Sequence, residues 1–465
     1  MEPKIKYNIS GLRGVVGKTF TPPVLMDNLI AFSRYLEKRG YHKGEKRRPK
    51  VFVGRDARAS GEAASAYVIG LLNLLGIDVD FGGILPTPTI LYTVKNGGYD
   101  GGVAITASHN PIEYNALKLA KFGGYFLFPV DVEEISSYID MPVLNFPTYE
   151  SIGTTKLISD AWQFHIDNAL KNFDKDIIKK ANLKVAVDFC NSTAKIVFPH
   201  LFDMLDVSYK SIFDSINGTF ERVAEPNFET MQYLSKIMQK EKFDAGFVFD
   251  PDADRVAVLF EDGKVVSEEY TLALSYYHFC KNKAGGDLVV NLSTSSMVKW
   301  IAQRFGYNVY YSPVGEINVT MKMLEKKAVF GGEGNGGVIY FPVSNSRDTV
   351  VAVLFILELL AIEKCRLSTI AEQIPQMIMR KQKFETTGKF DSAKIEKIKY
   401  LFTDHGFNIQ EINETDGIRL DFENGFCHIR SSNTEPVIRV IYEAQDKNII
   451  EKIEDLIPDL KNICK

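Results

Sequence analysis

Residues 246–260 read GFVFDPDADRVAVLF, and this stretch decides the fold class. Two apolar runs, 246–249 and 256–260, flank a loop that carries Asp250, Asp252 and Asp254 on alternate residues, followed by Arg255. Short apolar runs bounded by turn residues are the signature of buried strands, so the acidic loop hangs from a strand end. Three carboxylates this close repel one another unless a cation neutralises them, and an all-oxygen set suits a hard ion such as Mg2+. An EF-hand is the competing reading, because Glu261 stands where its last ligand would. Arg255 occupies the position that demands glycine, however, and helices should flank such a loop, which argues against calcium sensing.

Working outward, the same strand-to-polar-loop grammar recurs. The first cycle has a strand over 51–53, a helix over 63–75 stopped by Gly76, and a strand over 102–106. The acidic loop closes a second cycle, with a strand over 183–189 and helices over 194–205 and 228–240. A third runs from a helix over 268–279 through a strand at 288–292, a helix at 297–305 and a strand at 309–311. It closes at Val329-Phe330, ahead of a glycine-rich loop and a long helix after Asp348. Beyond about residue 375 the pattern becomes a helix over 392–402, strands over 417–422, 426–429 and 437–442, and a last helix over 447–456. The expected fold class is therefore α/β, with three α/β domains with mixed sheets and a smaller α+β C-terminal domain. The domains are read as 1–150, 151–258, 259–372 and 373–465, in keeping with a length of 465 residues.

Lysine and arginine number 55 against 59 acidic residues, a net charge of -4 that gives no chain-wide attraction to nucleic acid or anionic lipid. No nucleic-acid or membrane partner is expected, and any anion must be held locally. The basic run at 43–50 contains Lys46, Arg47, Arg48 and Lys50 but is broken by Gly44 and Pro49, so it reads as a solvated loop. The longest apolar run, 350–362, is interrupted by Glu358 and is too short to cross a bilayer, so it reads as a buried helix. The first ten residues carry no apolar signal region, and a cytoplasmic location is expected. Five scattered cysteines without C-x-x-C spacing suggest neither a disulfide framework nor a zinc site.

Three further loops carry chemistry. Thr106-Ala107-Ser108-His109-Asn110-Pro111 follows an apolar strand and holds out a hydroxyl, with His109 and Lys118 near in sequence to handle protons or phosphate charge. Gly332-Glu333-Gly334-Asn335-Gly336-Gly337 matches a dinucleotide fingerprint in form. A strand follows it, not the helix whose N-terminus would hold a pyrophosphate, so Glu333 and Asn335 are read as partners for vicinal sugar hydroxyls. Arg430-Ser431-Ser432-Asn433-Thr434-Glu435-Pro436, with Arg439 beyond, offers two guanidiniums, hydroxyls and amides to a phosphate. Arg13, between Gly11 and Gly14, adds another fork that could reach a shared centre.

In this order and at these separations, the four loops resemble those of the α-D-phosphohexomutase family, over essentially the whole chain. The resemblance implies four domains around a central cleft and a Mg2+-dependent exchange between hexose 1-phosphate and hexose 6-phosphate. It implies that Ser108 carries the phosphoryl group and that Asp250, Asp252, Asp254 and the Ser108 phosphate hold the metal. A hexose 1,6-bisphosphate would be the bound intermediate. Arg430, Ser432, Asn433, Thr434 and Arg439 would grip the non-reacting phosphate, while Glu333 and Asn335 hold the sugar. His109 and Lys118 are the candidate acid and base, with Arg13 and Arg255 supporting the serine loop. Ala116, Asn335 and Asn433 depart from residues common in the family. The specificity leans to glucosamine phosphate, with a broad phosphoglucomutase/phosphomannomutase as the alternative. A catalytically silent sugar-phosphate-binding protein is the distant alternative.

Overall fold

The computed structural model describes residues 7–8, 11–40, 44–45, 47–139, 141, 146–386, 390–432 and 436–464. The chain divides into two compact units, Met1–Thr271 with Gly336–Leu367, and Leu272–Asn335 with Ser368–Lys465.

The first unit holds two mixed sheets. In the larger, Leu12–Val15, Tyr114–Lys121, Gly101–Ile105, Lys50–Arg55, Asp78–Ile84 and Thr155–Leu157 lie side by side in that order, and Tyr125–Phe126 pairs with Tyr114–Lys121. The four-stranded sheet runs Val256–Leu259, Ala245–Phe249, Lys184–Asp188, Ser208–Ile212. Ala245–Phe249 is buried throughout because Lys184–Asp188 pairs with it in parallel and Val256–Leu259 in antiparallel. The acidic loop is thus a hairpin turn between two buried strands, and its flanks are strands as the apolar runs predict.

The apolar run at 350–362 forms the buried helix Thr349–Glu363. Asp348 caps it, accepting from the amides of Val350 and Val351. Helices Pro22–Arg39 and Thr87–Asn96 escape the sequence reading. In the latter, Thr87 to Val94 are all buried, so no polar face marks a helical period. Within the basic run, Arg47 and Arg48 lie outside helices and strands while Lys50 begins the strand Lys50–Arg55; Arg47 bridges to Asp100 at 2.5 Å and Lys50 to Asp80 at 2.8 Å, and Lys43 and Lys46 lie outside the described residues. Among the described residues, no helix is long and apolar enough to cross a membrane.

In the second unit, Val309–Ser312, Leu288–Asn291 and Phe330–Glu333 form parallel neighbours in that order. The last strand runs past Phe330 through the glycines, so Glu333 is a buried strand residue and not part of a free loop. An antiparallel sheet follows, ordered Ile378–Glu385, Val437–Ala444, Gly425–Ser431, Ile418–Phe422, Ile409–Asn413. Helices Ser392–Asp404 and Lys447–Cys464 contribute Ile398, Phe402, Ile453 and Leu460 to the core on this sheet. The α+β character of the tail is as expected. Its two edge strands are polar and half exposed, which hid them from the apolar pattern.

Candidate active site

In the first unit, the strand Gly101–Ile105 delivers Ser108 at a left-handed turn, φ +51°. That conformation costs about 1–2 kcal/mol for a residue with a Cβ, so other contacts must impose it. Arg58 does so. It is fully buried, and its fork donates to the carbonyls of Ser108 (2.6 Å), Asn110 (2.7 Å), Pro111 (2.7 Å) and Tyr114 (3.1 Å). Its Nε donates to Asp56, which also accepts from Thr106 Oγ1 at 2.7 Å, and that hydroxyl in turn accepts from the Ser108 amide. Neither Arg58 nor Asp56 was picked out from the sequence; the run Arg55-Asp56-Ala57-Arg58 between strand and helix was the available signal.

The Ser108 hydroxyl donates to Asp250 Oδ2 at 3.0 Å, across 142 residues of chain. One oxygen from each of Asp250, Asp252 and Asp254 lies within 4.8 Å of the others, and all three residues are buried. Burial, followed by the charges of Asp254 and Asp252, pushes the Asp250 carboxyl well above its usual range. Burial would raise Asp252 too, but Lys118 and Thr87 outweigh it and hold that carboxyl far below. Lys118 Nζ lies 2.8 Å from Asp252 Oδ2, and Thr87 Oγ1 donates to the same oxygen at 2.8 Å. Arg347 donates to Asp254 Oδ2 at 2.5 Å.

Two oxygens of the cluster, Asp252 Oδ1 and Asp254 Oδ1, are buried without a hydrogen-bond partner among the described residues. Buried, unpartnered carboxylate oxygens in a cluster of three aspartates are what a hard divalent cation satisfies, so the residues present fit Mg2+.

Arg255 donates from Nε to Asp250 at 3.2 Å and from an Nη to Glu225 at 3.2 Å. Burial opposes its charge, but Asp250 and Asp254 more than restore it. Arg13 sits opposite Ala116 in the strand pair Leu12–Val15 with Tyr114–Lys121 and hydrogen-bonds Asn110. Gly11 must precede it, since φ is +93° and a Cβ would stand 2.8 Å from the Leu117 carbonyl. His109 Nδ1 is 3.4 Å from the Ser108 hydroxyl. The positive charge of Arg255, then burial, then Arg13 push the imidazole down to about 2, so it is neutral at physiological pH. Arg13, Ser108, His109, Lys118, Asp250, Asp252, Asp254 and Arg255 are therefore all brought together within this unit.

Glu333, Asn335, Arg430, Ser432 and Arg439 fall in the second unit. Glu333 Oε1 accepts from Asn291 Nδ2 at 2.8 Å and the Gly315 amide at 3.1 Å, which fixes the carboxylate at its strand end. Asn335 Oδ1 is buried and without a hydrogen-bond partner among the described residues. Arg430 and Arg439 face each other directly across adjacent strands Gly425–Ser431 and Val437–Ala444. Burial lowers the Arg430 guanidinium from its usual range, Asp416 opposes this, and Arg439 adds to it. Like charges set opposite one another are destabilising on their own and invite an anion. The Ser432 amide donates to the Val437 carbonyl at 2.8 Å. Asn433 and Thr434 lie outside the described residues.

Comparison with known proteins places these features in one family. Models of phosphoglucomutase/phosphomannomutase match domain by domain: alpha/beta/alpha domain I at residues 4–142, domain II at 163–263, domain III at 267–378 and the C-terminal domain at 383–460. A phosphoglucosamine/phosphogalactosamine mutase of Sulfurisphaera tokodaii is 30% identical over 463 residues, 99% of each chain. A phosphoglucomutase/phosphomannomutase of Thermococcus kodakarensis is 31% identical over 442 residues, 95% of each. The structure of a putative phosphomannomutase from Thermus thermophilus superposes with a TM-score of 0.82 at 21% identity, covering 98% of this chain and 100% of that one, and so shares the fold. The chain belongs to the α-D-phosphohexomutase family, whose members are intramolecular phosphotransferases.

Proposed function

We propose that this phosphohexomutase interconverts hexose 1-phosphate and hexose 6-phosphate through a phosphorylated Ser108. The observation that carries the reading is the Ser108 hydroxyl 3.0 Å from Asp250 within the aspartate cluster. Asp250, Asp252 and Asp254 would hold Mg2+ together with an oxygen of the Ser108 phosphate. When bound, the ion would offset the negative charge that builds on the transferring phosphoryl group.

The chain's own residues do the rest. A sugar hydroxyl attacks phosphorus, forming the new O–P bond as the Ser108 Oγ–P bond breaks, which leaves a hexose 1,6-bisphosphate bound. Lys118 and His109 are the candidate acid and base that exchange the hydroxyl proton, His109 Nδ1 lying 3.4 Å from the Ser108 hydroxyl and Lys118 Nζ 2.8 Å from Asp252 Oδ2. Arg13 and Arg255 support the serine loop through Asn110 and Asp250. The bisphosphate then turns over and returns its other phosphate to Ser108. Arg430 and Arg439, with Ser432, Asn433 and Thr434, grip whichever phosphate is not reacting, because a guanidinium fork matches phosphate oxygens. Glu333 and Asn335 accept or share hydrogen bonds with the sugar hydroxyls in either orientation.

The substrate preference leans to glucosamine phosphate, supported by the Sulfurisphaera relative; the Thermococcus relative keeps glucose and mannose phosphates as the alternative. The test is kcat/KM for glucosamine, glucose, mannose and N-acetylglucosamine 1-phosphates, with Mg2+ and a trace of the matching 1,6-bisphosphate. Highest turnover of glucosamine 1-phosphate is expected. No turnover of any of the four would overturn the reading, as would full activity of Ser108→Ala.

A further inference from the structure

One fully buried side chain outside the four loops joins the elements that hold the aspartates. His165 lies on helix Ala161–Leu170, its Nε2 2.8 Å from Asp348 Oδ2 and its Nδ1 3.0 Å from Thr89 Oγ1. A carboxylate only accepts, so Nε2 donates to Asp348, while Nδ1 shares its hydrogen bond with the threonine hydroxyl, which can donate or accept. The ring also stacks on Tyr92, centroids 4.8 Å apart at 20°.

Both partners of His165 sit beside residues that grip the acidic loop. Thr89 is in the first turn of helix Thr87–Asn96, and Thr87 at its start takes hold of Asp252 twice, its amide donating to the carbonyl (2.9 Å) and its hydroxyl to Oδ2 (2.8 Å). Asp348 caps helix Thr349–Glu363 and lies between Arg347, which holds Asp254 Oδ2, and Thr349, whose hydroxyl donates to the Ala253 carbonyl at 2.7 Å. Ala253 itself is left-handed, φ +48°, a conformation alanine does not hold unaided. The loop is therefore clamped from two helix N-termini, and His165 ties those two helices to each other.

We infer that His165 is a positioning residue for the cation site: by fixing the two helix starts relative to one another, it sets the separation of Asp252 and Asp254. The inference rests on the reading of the aspartates as a metal site. Supporting groups behind metal ligands typically contribute 10- to 100-fold in metal affinity when they act on the ligands. A histidine that merely fills the core would affect folding stability alone.

The probe is Mn2+, titrated into the full-length protein without substrate, with free Mn2+ read by electron paramagnetic resonance. His165→Phe keeps the ring and removes both hydrogen bonds; it should weaken Mn2+ binding about tenfold. His165→Gln, which can still donate to Asp348, should recover most of that loss. Thr89→Val removes only one hydroxyl and should weaken binding by a smaller factor, and it decides the matter if His165→Phe does not fold. Folded variants that all bind Mn2+ within about twofold of wild type, while Asp254→Asn abolishes binding, would overturn this inference alone. Wild-type protein that binds no Mn2+, or binds it equally well as Asp254→Asn, would overturn the metal reading and this inference with it.

Discussion

The Arg58 guanidinium donates to the main-chain carbonyl of Ser108 at 2.6 Å and so fixes the turn from which the Ser108 hydroxyl projects. Arginine suits the task because one planar fork reaches four carbonyls of the loop and still pairs with Asp56. Arg58→Met would strand the Asp56 carboxylate in the interior and release all four carbonyls. A loss of about 3–5 kcal/mol in unfolding free energy is expected. Urea denaturation checks it, and a change near zero would show that the loop holds itself.

Ser108 is buried and holds a left-handed backbone. Ser108→Gly and Ser108→Ala should both abolish turnover, because each removes the proposed phosphate carrier. The glycine variant should nonetheless be more stable than the alanine variant, by about 1 kcal/mol, since only alanine keeps the Cβ that resists positive φ. Equal denaturation midpoints would argue that the turn relaxes.

Metal removal should be visible without substrate. A bound cation would give the orphaned oxygens of Asp252 and Asp254 a partner. Mg2+ at about 100 times its dissociation constant should therefore raise the unfolding free energy of the apoprotein by about 2.7 kcal/mol. Asp252→Asn should remove most of that gain. A melting temperature indifferent to Mg2+ and chelator would count against the site.

Arg430 and Arg439 face one another across a strand pair. Replacing Arg430 with Gln removes a repulsion in the free protein and, on the proposed reading, a charge-assisted contact to the bound phosphate. Stability should be unchanged or rise by about 0.5 kcal/mol. KM for the hexose phosphate should rise by about 10- to 100-fold, the equivalent of 1.5–3 kcal/mol. An unchanged KM would remove Arg430 from the phosphate grip.

His428 gives the second unit a pH dependence of known sign. Its ring is buried, with Nε2 donating to the Asp416 carbonyl at 2.8 Å and Nδ1 2.9 Å from Ser293 Oγ. Burial, chiefly, pushes the imidazole from 6.5 down to about 4. Between those values the unfolded chain takes up a proton that the folded chain refuses, so stability is complete above 6.5 and falls as pH drops towards 4. The loss across the window is at most about 3 kcal/mol. Denaturation at pH 7.5 and 5 should reveal the slope, and His428→Gln should flatten it.

Much of this was legible along the chain. Strand-end loops announce themselves because apolar runs stop abruptly at polar residues, as at Phe249-Asp250 and Ile105-Thr106. The helix Met297–Phe305 falls where its period placed it. Elements whose burial is all-round or nearly absent left no period to read. Thr87–Asn96 is of the first kind and the edge strand Ile378–Glu385 of the second.

By itself, the sequence determined the strand-and-loop order, the chemical inventory of each loop and the family that inventory resembles, because these depend on residue types close together in the chain. Only the tertiary structure decided which charges meet. Ser108 reaches Asp250, Lys118 reaches Asp252, Arg347 reaches Asp254 and His165 reaches Asp348 over separations of 93 to 183 residues. Such partners carry no periodic signal. They are chosen by which strand ends and helix starts the packed sheets bring together, and by the cost of leaving a buried charge without one.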